Sequence, residues 1–371
     1  MRHFTTQLLA LAIAATALTS SAADKKKRTR HKPVPSPIIH DDNSVTFRIK
    51  APGASKVTAG GEFRKGRTEL TKGTNGIWSV TVDPVEPGIY GYNLQVDGFQ
   101  TLDPGNRFLK PMRAPKTSIL HVPGRNAFDF DPQISHGTVH YHIYHSEPID
   151  RTRELQVYTP PGYESSKNKR YPLLVLQHGH SDSFATWVTY GKANLILDNL
   201  IAAGKAKPMI MVMLDGHPIP SSWGDGRSTN NTEELRLDLM KVVLPMLEKN
   251  YRIEIDAQQR AIAGLSMGGL HALTIGLTHS DTFGSIGAFS AAIPKDDAPA
   301  QLLKNPDRLR RNLRLFWIAI GKKDFLLQEN KELIPMLKKA KIPHQFHLTD
   351  GGHSWPIWRD YLARFAPLLF K

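Results

Sequence analysis

The 371-residue chain contains no cysteine. That excludes any disulfide framework, and it excludes a lipoprotein tethered through a lipid-bearing cysteine at its cleavage site. Long apolar runs are also scarce. The most apolar one, Leu8–Leu18, is too short to span a bilayer, so neither a transmembrane segment nor a membrane anchor is expected. No cysteines or clustered carboxylates accompany the alternating His140 and His142, which therefore read as edge-strand residues rather than zinc ligands. No metal and no cofactor is expected. The formal charge of +14 comes with no nucleic-acid recognition motif, and part of it sits in Lys25-Lys26-Lys27-Arg28-Thr29-Arg30, which reads as a solvated tail. Nucleic acid is not an expected partner.

What is present divides the chain. A short basic start, the Leu8–Leu18 run and the small residues Thr19-Ser20-Ser21-Ala22-Ala23 make a signal peptide over 1–23. Secretion or periplasmic export would follow. Residues 24–37 read as a basic, proline-containing linker. From 38 to 122, short alternating segments such as Val45–Ile49, Ile77–Val82 and Tyr90–Val96 stand between glycine turns with no helical period, the pattern of an all-β immunoglobulin-like sandwich. Its Trp78, Tyr90 and Tyr92 are either core or a sugar-stacking face. A second linker over 123–136 leads into 137–371. There strand patterns alternate with helical ones (194–203, 233–249, 270–279, 326–339, 357–369), which predicts a mostly parallel sheet with helices on both faces. Sites in such sheets lie at the strands' C-terminal ends.

The most informative stretch is Arg260–Leu270. A short apolar strand runs into Gly264-Leu265-Ser266-Met267-Gly268-Gly269, and an apolar helix follows. This is the pattern of the nucleophile elbow of an α/β-hydrolase, with Ser266 as nucleophile. Side chains at 264 and 268 would collide with the neighbouring strand and helix, and Gly269 lets the helix approach the sheet.

In this fold an acid and then a histidine should follow the serine. His271 lies one turn into the elbow helix and His279 at its end, where a cation would suit the helix dipole. His344 and His347 fall in a strand pattern. His353 follows the loop Thr349-Asp350-Gly351-Gly352 and precedes a helix, so it is the expected base. Asp324 ends the run Leu315–Lys323, where the fold keeps its acid; Asp350, only three residues from His353, is the competing candidate. The oxyanion hole would use the N–H of Met267 and, on the loop His178-Gly179-His180-Ser181-Asp182, the N–H of His180, with Gly179 permitting the turn.

These residues, together with Val157-Tyr158-Thr159-Pro160-Pro161-Gly162-Tyr163, Gly321-Lys322-Lys323-Asp324-Phe325 and Gly352-His353-Ser354-Trp355, resemble the esterase D-like branch of α/β-hydrolases, with the feruloyl and acetylxylan esterases of carbohydrate esterase family one. Ser181 departs from the family's His-Gly-x-Gly. The first β segment resembles early-set modules found in front of such enzymes. The resemblance implies a serine esterase removing acetyl or feruloyl groups from a carbohydrate ester, with a siderophore esterase or a non-catalytic glycan-binding relative as alternatives. Trp355, two residues after the histidine, would stand beside the leaving group as a substrate-binding residue.

Overall fold

The computed structural model describes residues 34–124, 126, 128–218 and 229–371. The signal-peptide reading of 1–23, the basic run and the start of the first linker fall outside them. Residues 34–371 form one compact unit. Among the described residues no helix is long and apolar enough to cross a membrane.

Among the described residues nine strands come first: β1 Ile38–Ile39, β2 Val45–Lys50, β3 Val57–Gly61, β4 Arg67–Glu69, β5 Thr71–Lys72, β6 Ile77–Val82, β7 Gly88–Val96, β8 Phe99–Thr101 and β9 Ser118–Val122. They make two antiparallel sheets, β1-β2-β6-β5 and β4-β3-β7-β8, with β9 also pairing β7. Alternate residues of both sheets enter one shared core: Val45, Phe47 and Trp78 from the first, Val57, Tyr92 and Leu94 from the second. Trp78 and Tyr92 are thus core residues rather than a stacking face, while Tyr90 is half-buried.

Eight further strands form a single sheet: β10 Thr138–Ser146, β11 Arg151–Thr159, β12 Leu173–Gln177, β13 Ile210–Leu214, β14 Arg260–Leu265, β15 Ser285–Phe289, β16 Leu315–Gly321 and β17 Gln345–Thr349. Their order is β10-β11-β13-β12-β14-β15-β16-β17. β10 and β11 are antiparallel, and every pairing from β13 onward is parallel. This is the sheet of an α/β-hydrolase. The near-continuous apolar strands serve two cores. Leu173, Val175, Ile262 and Ile318 face one, whereas Leu174, Leu176, Ala263 and Trp317 face the other.

Among the described residues nine α-helices cover it: α1 Thr186–Thr189, α2 Ala193–Ala202, α3 Thr229–Asp238, α4 Leu244–Asn250, α5 Met267–Thr278, α6 Ala298–Leu302, α7 Pro306–Asn312, α8 Leu327–Lys339 and α9 Trp355–Phe365. A π turn, Leu239–Val243, joins α3 to α4. Ala272, Leu273, Ile275 and Leu277 of α5 and Leu333 and Leu337 of α8 belong to the first core, Ile196 and Leu197 of α2 and Trp355, Tyr361 and Phe365 of α9 to the second. His140 and His142 on β10 are held by Thr159 and Tyr251 hydroxyls at 3.1 and 2.5 Å.

Candidate active site

β14 ends at Leu265 and α5 begins at Met267, leaving Ser266 alone in the turn with φ 54° and ψ −117°. A non-glycine residue at positive φ is strained and needs surroundings that enforce it. The glycines do so. A Cβ on Gly264 would lie 2.4 Å from the Gly268 carbonyl oxygen, and one on Gly268 would lie 2.5 Å from the His178 carbonyl oxygen. On Gly269 it would meet the Ala291 methyl at 2.6 Å. Small residues are therefore required on both sides of the serine, which throws its hydroxyl above the sheet.

The Ser266 hydroxyl lies 2.9 Å from His353 Nε2. The other ring nitrogen, Nδ1, lies 2.9 and 3.0 Å from the two carboxylate oxygens of Asp324. With Nδ1–H donating to the carboxylate, Nε2 is left to accept from the serine. The loops carrying Asp324 and His353 are tied together: the Lys322 N–H donates to the Thr349 carbonyl at 2.8 Å and the Lys323 N–H to the Gly351 carbonyl at 2.9 Å. Gly351, at φ 95°, makes the turn that brings the histidine back over the elbow, where only glycine sits without strain.

Asp324 is 5% exposed. Burial works against its charge, but the hydrogen bond from His353 and the Leu326 N–H at 2.9 Å outweigh it, so its carboxyl is held below the usual range. Asp350, the competing acid, points outward instead. Its side chain is 93% exposed and pairs with Lys322 at 2.9 Å.

The Met267 N–H opens α5, where no preceding carbonyl exists to accept it. Gly179 approaches the same point: a Cβ built on it would be 3.6 Å from the serine Cβ and 2.6 Å from a Leu265 methyl. His178 sits beneath this loop. Its Nε2 accepts from the Gly216 N–H at 2.8 Å, so Nδ1 carries the proton and donates to the Gly179 carbonyl, also at 2.8 Å. That carbonyl shares a peptide plane with the His180 N–H and also accepts from the Asp182 N–H at 3.1 Å.

His271 is fully buried, and its pKa is pushed down to about 3 by burial and by the neighbouring His178 and His217. His279 caps the end of α5, but burial and Arg236 lower its pKa, so it is not the helix-end cation that its position suggests.

Trp355 departs from expectation. It is 2% exposed, packed edge-on against Trp187, Tyr190 and Trp358, with the Lys110 ammonium 5.4 Å from its ring centre. As the first residue of α9 it points into the second core, because the helix docks on the sheet through that face. It is not available to substrate. The aromatic that does stand at the histidine is Phe325, and Trp358 meets the same imidazole edge-on at 4.8 Å. Phe325 follows the acid directly in Gly321–Phe325, which is the signal that could have marked it.

The Esterase family model matches residues 146–369. An endo-1,4-beta-xylanase/feruloyl esterase of Xylanibacter ruminicola is 32% identical over 345 residues, 90% of this chain and 46% of that protein. The chain spans about half the length of the curated relatives it matches. A solved ferulic acid esterase superposes with TM-score 0.57 at 30% identity, covering 63% of this chain and 97% of its own. The enterobactin esterase of Shigella flexneri shares the fold over 88% of this chain and 92% of its own, with TM-score 0.63 at 17% identity.

Proposed function

The chain belongs to the esterase family, and from that premise we propose that it is a serine carboxyl-ester hydrolase that removes acetyl or feruloyl groups from plant-type polysaccharide or oligosaccharide. The observation that carries this reading is the hydrogen-bonded path from the Ser266 hydroxyl through His353 to Asp324, built on a strained elbow.

Ser266 Oγ attacks the acyl carbon while His353 Nε2 takes its proton. The carbonyl electrons move to oxygen, and the N–H groups of Met267 and His180, the latter at the Gly179 turn, hold the oxyanion. On collapse the ester C–O bond breaks, and His353 returns the proton to the departing sugar oxygen. Water then enters by the same route in reverse order of roles, freeing the acid and the serine. Asp324 keeps the imidazole oriented and stabilises its charged form.

The acyl preference draws support from the printed activities of the X. ruminicola relative and the ferulic acid esterase, both at 30% identity or above. A siderophore lactone is the second reading, because the likeness to the enterobactin esterase fold extends over 88% of the chain and so into its N-terminal sheets. Those sheets we assign to an immunoglobulin-like, early-set module over 38–122 preceding the catalytic domain at 137–371. Residues 1–23 act as an export signal. N-terminal sequencing of periplasmic or secreted material, which should begin near residue 24, tests that.

Purified protein assayed on methyl ferulate, acetylated xylan and a catecholate trilactone decides the substrate. Turnover of either of the first two with little on the third is expected. Preference for the lactone would transfer the chain to the siderophore reading.

A further inference from the structure

The loop beside the serine is braced from outside the hydrolase sheet. Residues 110–113 lie between β8 and β9 of the N-terminal sheets, yet they run against 181–186. Met112 and Asp182 form an antiparallel bridge, and the Arg113 N–H donates to the Ser181 carbonyl at 3.2 Å. The Thr186 hydroxyl donates to the Pro111 carbonyl at 2.5 Å. At the centre, Lys110 Nζ pairs with an Asp182 carboxylate oxygen at 2.7 Å, with both side chains buried at 10% and 3% exposure.

We propose that Lys110 is a positioning residue for ester hydrolysis: its ion pair with Asp182 fixes the 179–182 turn and so the oxyanion-binding peptide, which makes the N-terminal β-sheet segment part of the catalytic machinery. This rests on the hydrolase reading given above.

Three observations converge on it. Gly179, at the head of the turn, is the loop residue that crowds the serine. The carbonyl of the Gly179–His180 peptide is held by the Asp182 N–H, so movement of residue 182 is transmitted to that peptide. The lysine is not a surface charge that happens to be near: the rings of Tyr190 and Trp355 lie 5.3 and 5.4 Å from its ammonium and confine it to the carboxylate. A buried pair with one member removed leaves the other uncompensated, so the turn should shift or loosen when Lys110 loses its charge. Catalysis through an oxyanion site is sensitive to such shifts because its donors act only at fixed geometry. From within the hydrolase domain, His178 braces the same carbonyl, so the loop is clamped from two sides.

The test uses the full chain with Lys110→Met, Lys110→Arg and Thr186→Val. Hydrogen exchange over 177–186 reads the brace itself, independently of any activity. The expected result is faster exchange there in Lys110→Met, with the elbow and α8 unchanged. Hydrolysis of p-nitrophenyl acetate, normalised to serine titrated by a phosphonate, then reads the consequence. The expected result is a kcat per active site lowered tenfold or more with KM within twofold, matched by an equal weakening of a phenylboronic acid that mimics the tetrahedral state. Lys110→Arg should recover most of it. If Lys110→Met fails to fold, Thr186→Val should show the same pattern at severalfold size. Unchanged exchange, or a loss confined to the titratable fraction with kcat per site intact, overturns the proposal. A wild-type protein that hydrolyses none of these esters would overturn the hydrolase reading instead, while the exchange result would stand.

Discussion

The ring of Phe325 lies 4.4 Å from that of His353, centroid to centroid, while 74% of its surface remains exposed. An exposed phenylalanine touching the His353 imidazole, the base of the proposed mechanism, is costly to solvate and is well placed to cover a bound ring.

Phe325→Ala should therefore raise KM for methyl ferulate about two- to tenfold, the equivalent of a stacking contact worth ~0.5–1.5 kcal/mol. KM for methyl acetate should barely change, and so should the melting temperature, since little surface is buried at this position. Equal KM changes on both esters would mean that the ring only shields the imidazole.

Replacing Ser266 tests the elbow. Ser266→Ala should lower kcat by ~10⁶ and leave only residual oxyanion and binding effects. The backbone keeps its positive φ with either side chain, so stability should stay close to that of the wild type. A variant holding a tenth of the activity would move the nucleophile elsewhere.

The two aspartates separate cleanly. Asp324→Asn should cost on the order of 10³–10⁴ in kcat, because the amide presents a donor to His353 Nδ1 and selects the wrong tautomer. Asp350→Asn should cost less than about tenfold, since its carboxylate faces solvent and Lys322. The reverse ranking would place the acid role on Asp350.

The juxtaposition of Ser266, Asp324 and His353 was legible in the chain because each residue sits in a local pattern: glycines at fixed offsets from the serine, an aspartate at a strand end, a histidine behind Gly351-Gly352. The alternation of strand and helical patterns over 137–371, and with it a mostly parallel sheet, was legible for the same reason. Lys110 was not, since its partner is 72 residues away and a lone lysine between strands carries no local signal. Trp355 was misread because distance along the chain from His353 says nothing about direction: the first turn of α9 aims it at the core while the histidine before it faces the serine. Asp350 is close to His353 in sequence for equally little effect.

Trp355 consequently belongs to stability. Trp355→Ala should destabilise the fold by ~3–5 kcal/mol, the range for a large buried aromatic. Urea unfolding measures it. Specific activity per titrated serine should fall much less, and by the same factor on methyl ferulate as on p-nitrophenyl acetate. A selective loss on the ferulate ester would return the residue to the substrate site.

Acid should destabilise the protein through histidines that must stay neutral. His271 is wholly buried and has no hydrogen-bond partner among the described residues. Its pKa is pushed down to about 3 from an ordinary 6.5, with burial the largest cause. The folded-state value is the lower one, so this contribution to stability is complete above pH 6.5. As the pH falls further, the unfolded chain takes up a proton that the folded chain refuses, and stability drops at a slope approaching ~1.4 kcal/mol per pH unit. Asp324 acts in the same direction only lower, because its depressed carboxyl loses its advantage below the ordinary value of 3.8. The interval between pH 6.5 and 5 is thus left mainly to the histidines. His271→Met keeps an apolar side chain of similar reach and removes the proton site. On going from pH 7 to pH 5, the unfolding free energy of this variant should fall by ~2 kcal/mol less than that of the wild type. Equal falls, measured by urea titration at both pH values, would mean that the imidazole is protonated inside the fold.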